Sequence, residues 1–274
     1  MKNTKVLALV ESAVMIALAT VLSLLKVAKL PAGGSVTFAS MLPIVLISYR
    51  HGWRYGLASG AVYGVLQQLL GLETLSYATS FSAAMAIILL DYLIAFAVLG
   101  LGGVFRKSGM RQSLALVSGA TLASALRFVC HVISGATVWA GLSIPTEAAL
   151  VGSIAYNATY MLPETLILLL VLFYLSEAMD FSASVPKRIA RGRESSVAAF
   201  SVVLSGGVLF LAATVYDVIA IFSALQLSGV LSISGFAAVP WGRVTLITAI
   251  GFVAFAASVF IAKMLEKRVS QKSN

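Results

Sequence analysis

The sequence predicts an all-α integral membrane protein, and three observations carry that expectation. Of 274 residues, 60% are hydrophobic and only 11% are charged. Mean hydropathy is +1.00. The apolar residues also gather into eight runs separated by short polar stretches. A soluble domain is about half apolar and about a quarter charged, so a chain this poor in charge could not cover its own surface in water. The same figures exclude disorder. A helix needs roughly 20 apolar residues to cross a bilayer, and the eight runs are spaced accordingly.

The first run, residues 6–25, follows Lys2 and Lys5 and is too long for the apolar core of a signal peptide, so it reads as the first span. The second, 36–49, is short and starts from the breaker cluster Leu30-Pro31-Ala32-Gly33-Gly34. The third, 54–71, carries Gly56, Gly60 and Gly64 at four-residue spacing, a row of small residues that lets helices approach closely in lipid. Runs at 83–104, 113–137 and 149–175 complete a six-span unit over residues 1–182. Residues 183–197, with Pro186-Lys187-Arg188 and Arg193-Glu194, read as a basic cytoplasmic linker. Two more runs, 198–224 and 243–262, make a C-terminal helix pair with a basic tail, so that 198–274 forms a third segment.

Lys and Arg concentrate in cytoplasmic loops. The alternate loops that include the N-terminus hold Lys2, Lys5, Arg50, Arg54, Arg106, Lys107, Arg111, four basic residues between Lys187 and Arg193, and four between Lys263 and Lys272, fifteen altogether. The opposite set holds three, Lys26, Lys29 and Arg243. Both termini are therefore expected in the cytoplasm of a multi-pass plasma-membrane protein. The net charge of +9 follows from this bias, and no nucleic-acid partner is expected. Cys130 is the only cysteine, which excludes an intrachain disulfide. The sequence has neither a cysteine cluster nor H-E-x-x-H, nor the phosphate loop G-x-x-x-x-G-K-[ST]. We expect no metal, no cofactor and no catalytic activity.

A charge at the bilayer centre costs about 2.5–3.5 kcal/mol on insertion scales, so each one needs a partner or a task. The candidates are Asp91, Arg127, His131, Glu164 and Asp217, with Asn157 and Tyr160 beside them. At 1.5 Å per residue, Asp91 lies roughly 12 Å below the outer end of its span, His131 roughly 9 Å and Asn157 roughly 12 Å. Three helices thus place polar groups in one outer layer, which lipid would not tolerate. An anion beside Tyr92, His131, Trp139, Tyr156 and Tyr160 suits a cationic planar heterocycle. Arg127 lies deeper, nearer Glu164, and the two are expected to form a structural ion pair, although Asp91 could compete for Arg127. Asp217 is expected near interfacial water, without a role.

Several segments resemble the thiamine-specific substrate-binding (S) component of energy-coupling-factor transporters. They are Gly33-Gly34-Ser35 with Met41-Leu42-Pro43-Ile44, Arg50-His51-Gly52, Leu90-Asp91-Tyr92, Arg127-Phe128 with His131 and Ser134-Gly135, Trp139, and Tyr156 through Glu164. The resemblance covers residues 1 to about 182. It implies a six-helix fold holding the vitamin near the outer face, with a transmembrane coupling protein and two cytoplasmic ATPases as partners. By this resemblance Asp91 stands where the family has Glu, bonded to the aminopyrimidine ring. His131 and Trp139 would pack on the ligand rings, and Asn157 would make a polar contact. Tyr92 and Tyr160, from the outer polar layer, and Phe81, which stands where the family would have Tyr, complete the expected substrate-binding set. Ala13 and Ala17 match the alanine row that docks on the coupling protein. The expected function is capture of thiamine outside the cell for ATP-driven uptake. The competing readings are an S component for a thiamine precursor, an autonomous carrier, and an intramembrane enzyme using Asp91, His131 and Glu164.

Overall fold

The computed structural model describes residues 4–30, 34–109, 111–138, 147–189, 193–227, 230–231 and 238–272. The chain divides into two compact units, Met1–Lys187 and Arg188–Asn274. Among the described residues, five helical segments are long and apolar enough to cross a membrane: Lys5–Leu24, Phe81–Lys107, Gln112–Thr137, Ala149–Ala178 and Trp241–Ala262. The fold is all-α apart from short two-stranded hairpins.

In the first unit, α1 (Thr4–Leu24) leads into an antiparallel hairpin of β1 (Lys26–Lys29) and β2 (Ser35–Thr37). The expected second span becomes β2 followed by α2 (Leu42–His51). Ten residues rise only about 15 Å, so α2 cannot cross a bilayer alone. Pro43 at its start fixes the entry, and every residue from Leu42 to Arg50 is buried. Protein therefore surrounds this half-length helix on all sides. Gly52 alone separates α2 from α3 (Trp53–Leu70); its φ of 94° is a conformation that side chains disfavour.

The fourth span is irregular. It starts as α4 (Phe81–Ile87), widens into a π-helical turn over Ile88–Ile94, returns to helix in α5 (Ala95–Ala97), and tightens to a 3₁₀ turn over Val98–Leu101. The glycine row of α3 packs against it. A Cβ on Gly64 would stand 2.6 Å from the Tyr92 carbonyl oxygen, and one on Gly56 2.5 Å from that of Gly100. Only glycine permits this approach. Two long helices follow, α6 (Gln112–Thr137) and α7 (Glu147–Ala178), packed on each other. Pro163 lies inside α7 and leaves the Thr159 carbonyl without its helical donor.

The second unit is a pair, α8 (Arg193–Leu225) and α9 (Trp241–Lys272). Phe210 stacks on Phe255 with ring centroids 6.1 Å apart. The sequence suggested that Asp217 reaches interfacial water; within the pair its side chain is instead turned to the partner helix. It is buried in the pair, with Oδ2 2.5 Å from Thr248 Oγ1, because the partner helix offers a hydroxyl at its level.

Candidate functional site

Asp91 sits in the middle of the π-helical turn. Such turns occur mostly as single insertions, frequently at functional sites, and this one turns the Asp91 carboxylate toward α6. Its Oδ1 lies 3.0 Å from His131 Nδ1, and its Oδ2 accepts a 2.6 Å hydrogen bond from Ser134 Oγ. His131 and Ser134 are three residues apart on α6 and so share one face. These two contacts tie the carboxylate to α6, while Arg127 is paired with Glu164.

From α7, Asn157 reaches the same level. Its Nδ2 donates to Ser153 O at 2.9 Å and approaches His131 O at 3.3 Å, while its Oδ1 accepts from Tyr160 OH at 2.7 Å. The Tyr160 ring stands edge-on to His131 at 6.3 Å and to Tyr156 at 5.8 Å. Tyr156 OH in turn accepts from the backbone N–H of Gly34, beside β2, at 3.1 Å. The structure thus joins Asp91, His131, Asn157 and Tyr160 in one network drawn from three spans. Among the described residues, His131 Nε2 is buried and has no hydrogen-bond partner.

Two other expected site residues have different neighbours. Tyr92 stacks on Phe96 at 6.4 Å, and its hydroxyl lies 3.1 Å from Thr74 Oγ1. Phe81, in the first turn of α4, is 83% exposed, and its ring stands outside the Asp91 network. Trp139 lies outside the described residues, as do Ala32 and Gly33 of the breaker cluster.

Arg127 and Glu164 form a 2.7 Å ion pair. The guanidinium also lies over the Phe96 ring, 4.7 Å from its centroid. Glu164 Oε1 accepts from Thr37 Oγ1 and is approached by the Thr37 backbone N–H at 3.4 Å, so the pair anchors β2 to α6 and α7. With Glu164 occupied by Arg127 and Thr37, its carboxylate is not joined to the Asp91–His131 pair as the enzyme reading required.

The sequence reading missed a second ionic cluster, at the opposite end of α2. Arg50 donates through Nε and NH2 to the two oxygens of Glu11, each at 2.8 Å. It also bonds the carbonyls of Phe181, Ala183 and Ser184 at 3.1–3.2 Å. His51 Nε2 lies 2.7 Å from Glu11 Oε2. Gln112 completes the arrangement by bonding the carbonyls of Ser176 and Met179 and the N–H of Phe181. The available signal was Glu11 itself, a carboxylate within the first apolar run.

The family model described as "Thiamine transporter protein" matches residues 9–182. Thiamine transporter ThiT of Bacillus subtilis (strain 168) is 34% identical over 182 residues, covering 62% of this chain and 91% of that protein. The solved structure of ThiT from Listeria monocytogenes overlays with a TM-score of 0.51 at 23% identity, covering 64% of this chain and 95% of that one. Both relatives are named as transporters or carry a transporter's name, and both comparisons stop short of α8 and α9. With its several membrane-spanning helices and a family match over more than half its length, the chain belongs to the thiamine transporter protein family.

Proposed function

We propose that this protein is the substrate-binding (S) component of an energy-coupling-factor transporter and that its ligand is thiamine. Binding would occur in a site built by Asp91, His131, Trp139, Asn157 and Tyr160, with Tyr92 and Phe81 at its margins. The observation that carries this reading is the meeting of polar groups from three spans. Asp91, His131 and Asn157 form one connected cluster at membrane depth, where a group without a task is costly. An anion with aromatic faces suits a cationic heterocycle. The family supports thiamine in particular.

In this reading the site opens to the outside and both termini lie in the cytoplasm, as the charge bias favours. Residues 1–182 form the vitamin-binding part, 183–197 the linker and 198–274 an added helix pair. Ala13 and Ala17, exposed on α1 beside Val10, Val14 and Val21, form the face for a transmembrane coupling protein. Two cytoplasmic ATPases bound to that protein supply the energy. The chain itself has no enzymatic step.

Isothermal titration of the purified protein with thiamine tests the assignment. Tight binding that Asp91→Ala and Trp139→Ala each weaken at least a hundredfold is the expected result; a wild-type protein that does not bind thiamine overturns it.

A further inference from the structure

We propose that the α8–α9 pair contains a proton-binding site of its own: Asp217 is a neutral carboxylic acid whose O–H donates to Thr248 Oγ1, and loss of that one proton loosens the two helices at the Trp241 end. The site lies in the second unit, Arg188–Asn274, beyond the stretch that the family model matches.

The register of the pair brings the two groups together. A Cβ on Gly206 would meet Ser258, and one on Gly251 would meet Ala213, while Phe210 stacks on Phe255. These contacts step one turn forward along α8 for each turn backward along α9, so the helices are antiparallel. One more step places Thr248 beside Asp217, where its hydroxyl stands 2.5 Å from Oδ2. Leu225 ends α8 and Trp241 starts α9, which puts both groups roughly 10–12 Å inside that end.

Counting hydrogens gives the charge. Thr248 Oγ1 lies 2.9 Å from the Val244 carbonyl oxygen as well as 2.5 Å from Asp217 Oδ2. A hydroxyl has one hydrogen to donate. A helical Thr commonly gives it to the carbonyl four residues back, as Thr20, Thr121, Thr137 and Thr245 do in this chain. With the Thr248 hydrogen on Val244 O, the contact to Oδ2 needs a hydrogen from Asp217, and only the protonated acid has one. The second oxygen agrees. Asp217 is 6% exposed, and its Oδ1 is buried without a hydrogen-bond partner among the described residues. An isolated buried carboxylate takes up a proton rather than remain charged, whereas the C=O of an acid leaves only a neutral acceptor.

The charged neighbours do not offset an ionised form. On α8 the adjacent titratable group is Tyr216, which is 40% exposed. On α9 it is Arg243, in the first turn and exposed. Among the described residues, no ion pair joins a basic side chain to Asp217. Once deprotonated, the carboxylate gains by reaching water near the helix ends, and the pair has to part there to let it. The close contacts at Gly206 and Gly251 hold the remainder. Low pH therefore keeps the joint closed, and rising pH opens it.

The test uses the full-length protein in lipid vesicles. Infrared difference spectra of wild type against Asp217→Asn should show, at neutral pH, a protonated-carboxyl C=O band that the variant lacks and that disappears as the pH is raised. Thr248→Val should shift this band, because the acid loses its acceptor. In a Cys130→Ser background, spin labels at Ala212→Cys and Thr245→Cys should move apart over the pH range in which the band is lost, while labels at Ser205→Cys and Phe260→Cys keep their separation. Asp217→Asn retains an N–H donor toward Thr248 without a titratable proton, and should abolish the movement. Absence of the band at neutral pH, a band indifferent to Thr248→Val, or a label separation that does not follow pH overturns the proposal. A separation that follows sodium at fixed pH also overturns it, in favour of a metal ion held by the same oxygens. None of these readouts requires thiamine, so failure here leaves the transporter assignment standing, and the reverse holds equally.

Discussion

Replacing Glu164 by leucine should destabilise the first unit severely, and replacing Arg127 by methionine in the same chain should restore most of the loss. Glu164 is 2% exposed and Arg127 is 6% exposed. Their 2.7 Å contact is the principal compensation for two charges removed from water. Deleting one partner of such a pair strands the other, at a cost of about 3–5 kcal/mol. In Glu164→Leu the stranded charge is the guanidinium, whose remaining neighbours include the Phe96 ring face and the sulfur of Met41, 3.1 Å away. Neither replaces a carboxylate. For a domain of 150–250 residues each kcal/mol moves the melting midpoint roughly 2–4 °C, so a fall of roughly 6–20 °C is expected. The double replacement Arg127→Met/Glu164→Leu removes both charges and refills the space with apolar groups. Pairs exchanged in this way are often neutral or stabilising, and its midpoint should lie well above that of the single variant. The assay is thermal unfolding in detergent micelles, followed by the fraction that remains monodisperse. A Glu164→Leu midpoint within 2 °C of wild type, or a double variant no better than the single, would refute charge compensation as the role of the pair.

Other outcomes follow from the same contacts. Arg50→Lys should lower the midpoint by several degrees, because one ammonium cannot replace a bidentate carboxylate contact together with three carbonyl bonds; an unchanged midpoint would show the cluster to be energetically idle. Gln112→Ala should expose residues 181–185 to limited proteolysis, since its amide bonds both sides of that segment; an unaltered cleavage pattern would contradict this. Gly64→Val should sharply reduce the yield of folded protein, because the new side chain meets the Tyr92 carbonyl, and a normal yield would deny the close approach. Uptake of labelled thiamine into vesicles should require the coupling protein, the ATPases and ATP; uptake by the isolated chain would favour an autonomous carrier.

The sequence conveyed the membrane class and the extent of most helices because both depend on gross apolarity, which each residue reports independently. Counting residues from the ends of the runs also put Asp91, His131 and Asn157 at one level, and they adjoin in the structure. Facing direction was less legible. Tyr92 follows Asp91 in sequence yet bonds to Thr74, since successive helical residues point to different sides. The π-helical turn around Asp91 left no sign in the hydropathy pattern, because inserting one residue into a uniformly apolar span does not change its apolarity. Arg50 counted as a topology marker and as part of a family-like segment, although its guanidinium ties Glu11 of α1 to the stretch after α7. Nothing in the local sequence indicates that Phe181, Ala183 and Ser184 return to it.

The single residue between α2 and α3 has a mechanical consequence. With Gly52 as the whole connection, neither helix has slack to move without the other. The guanidinium of Arg50, just before that joint, also pins α1 and the stretch after α7. This end of the bundle is stiff, and any tilt applied to α1 there is carried through the neighbouring helices as one body. The far end is held differently: there the β-hairpin is tied to α7 through the bonds of Gly34 and Thr37, and loosening it does not disturb the Arg50 anchor.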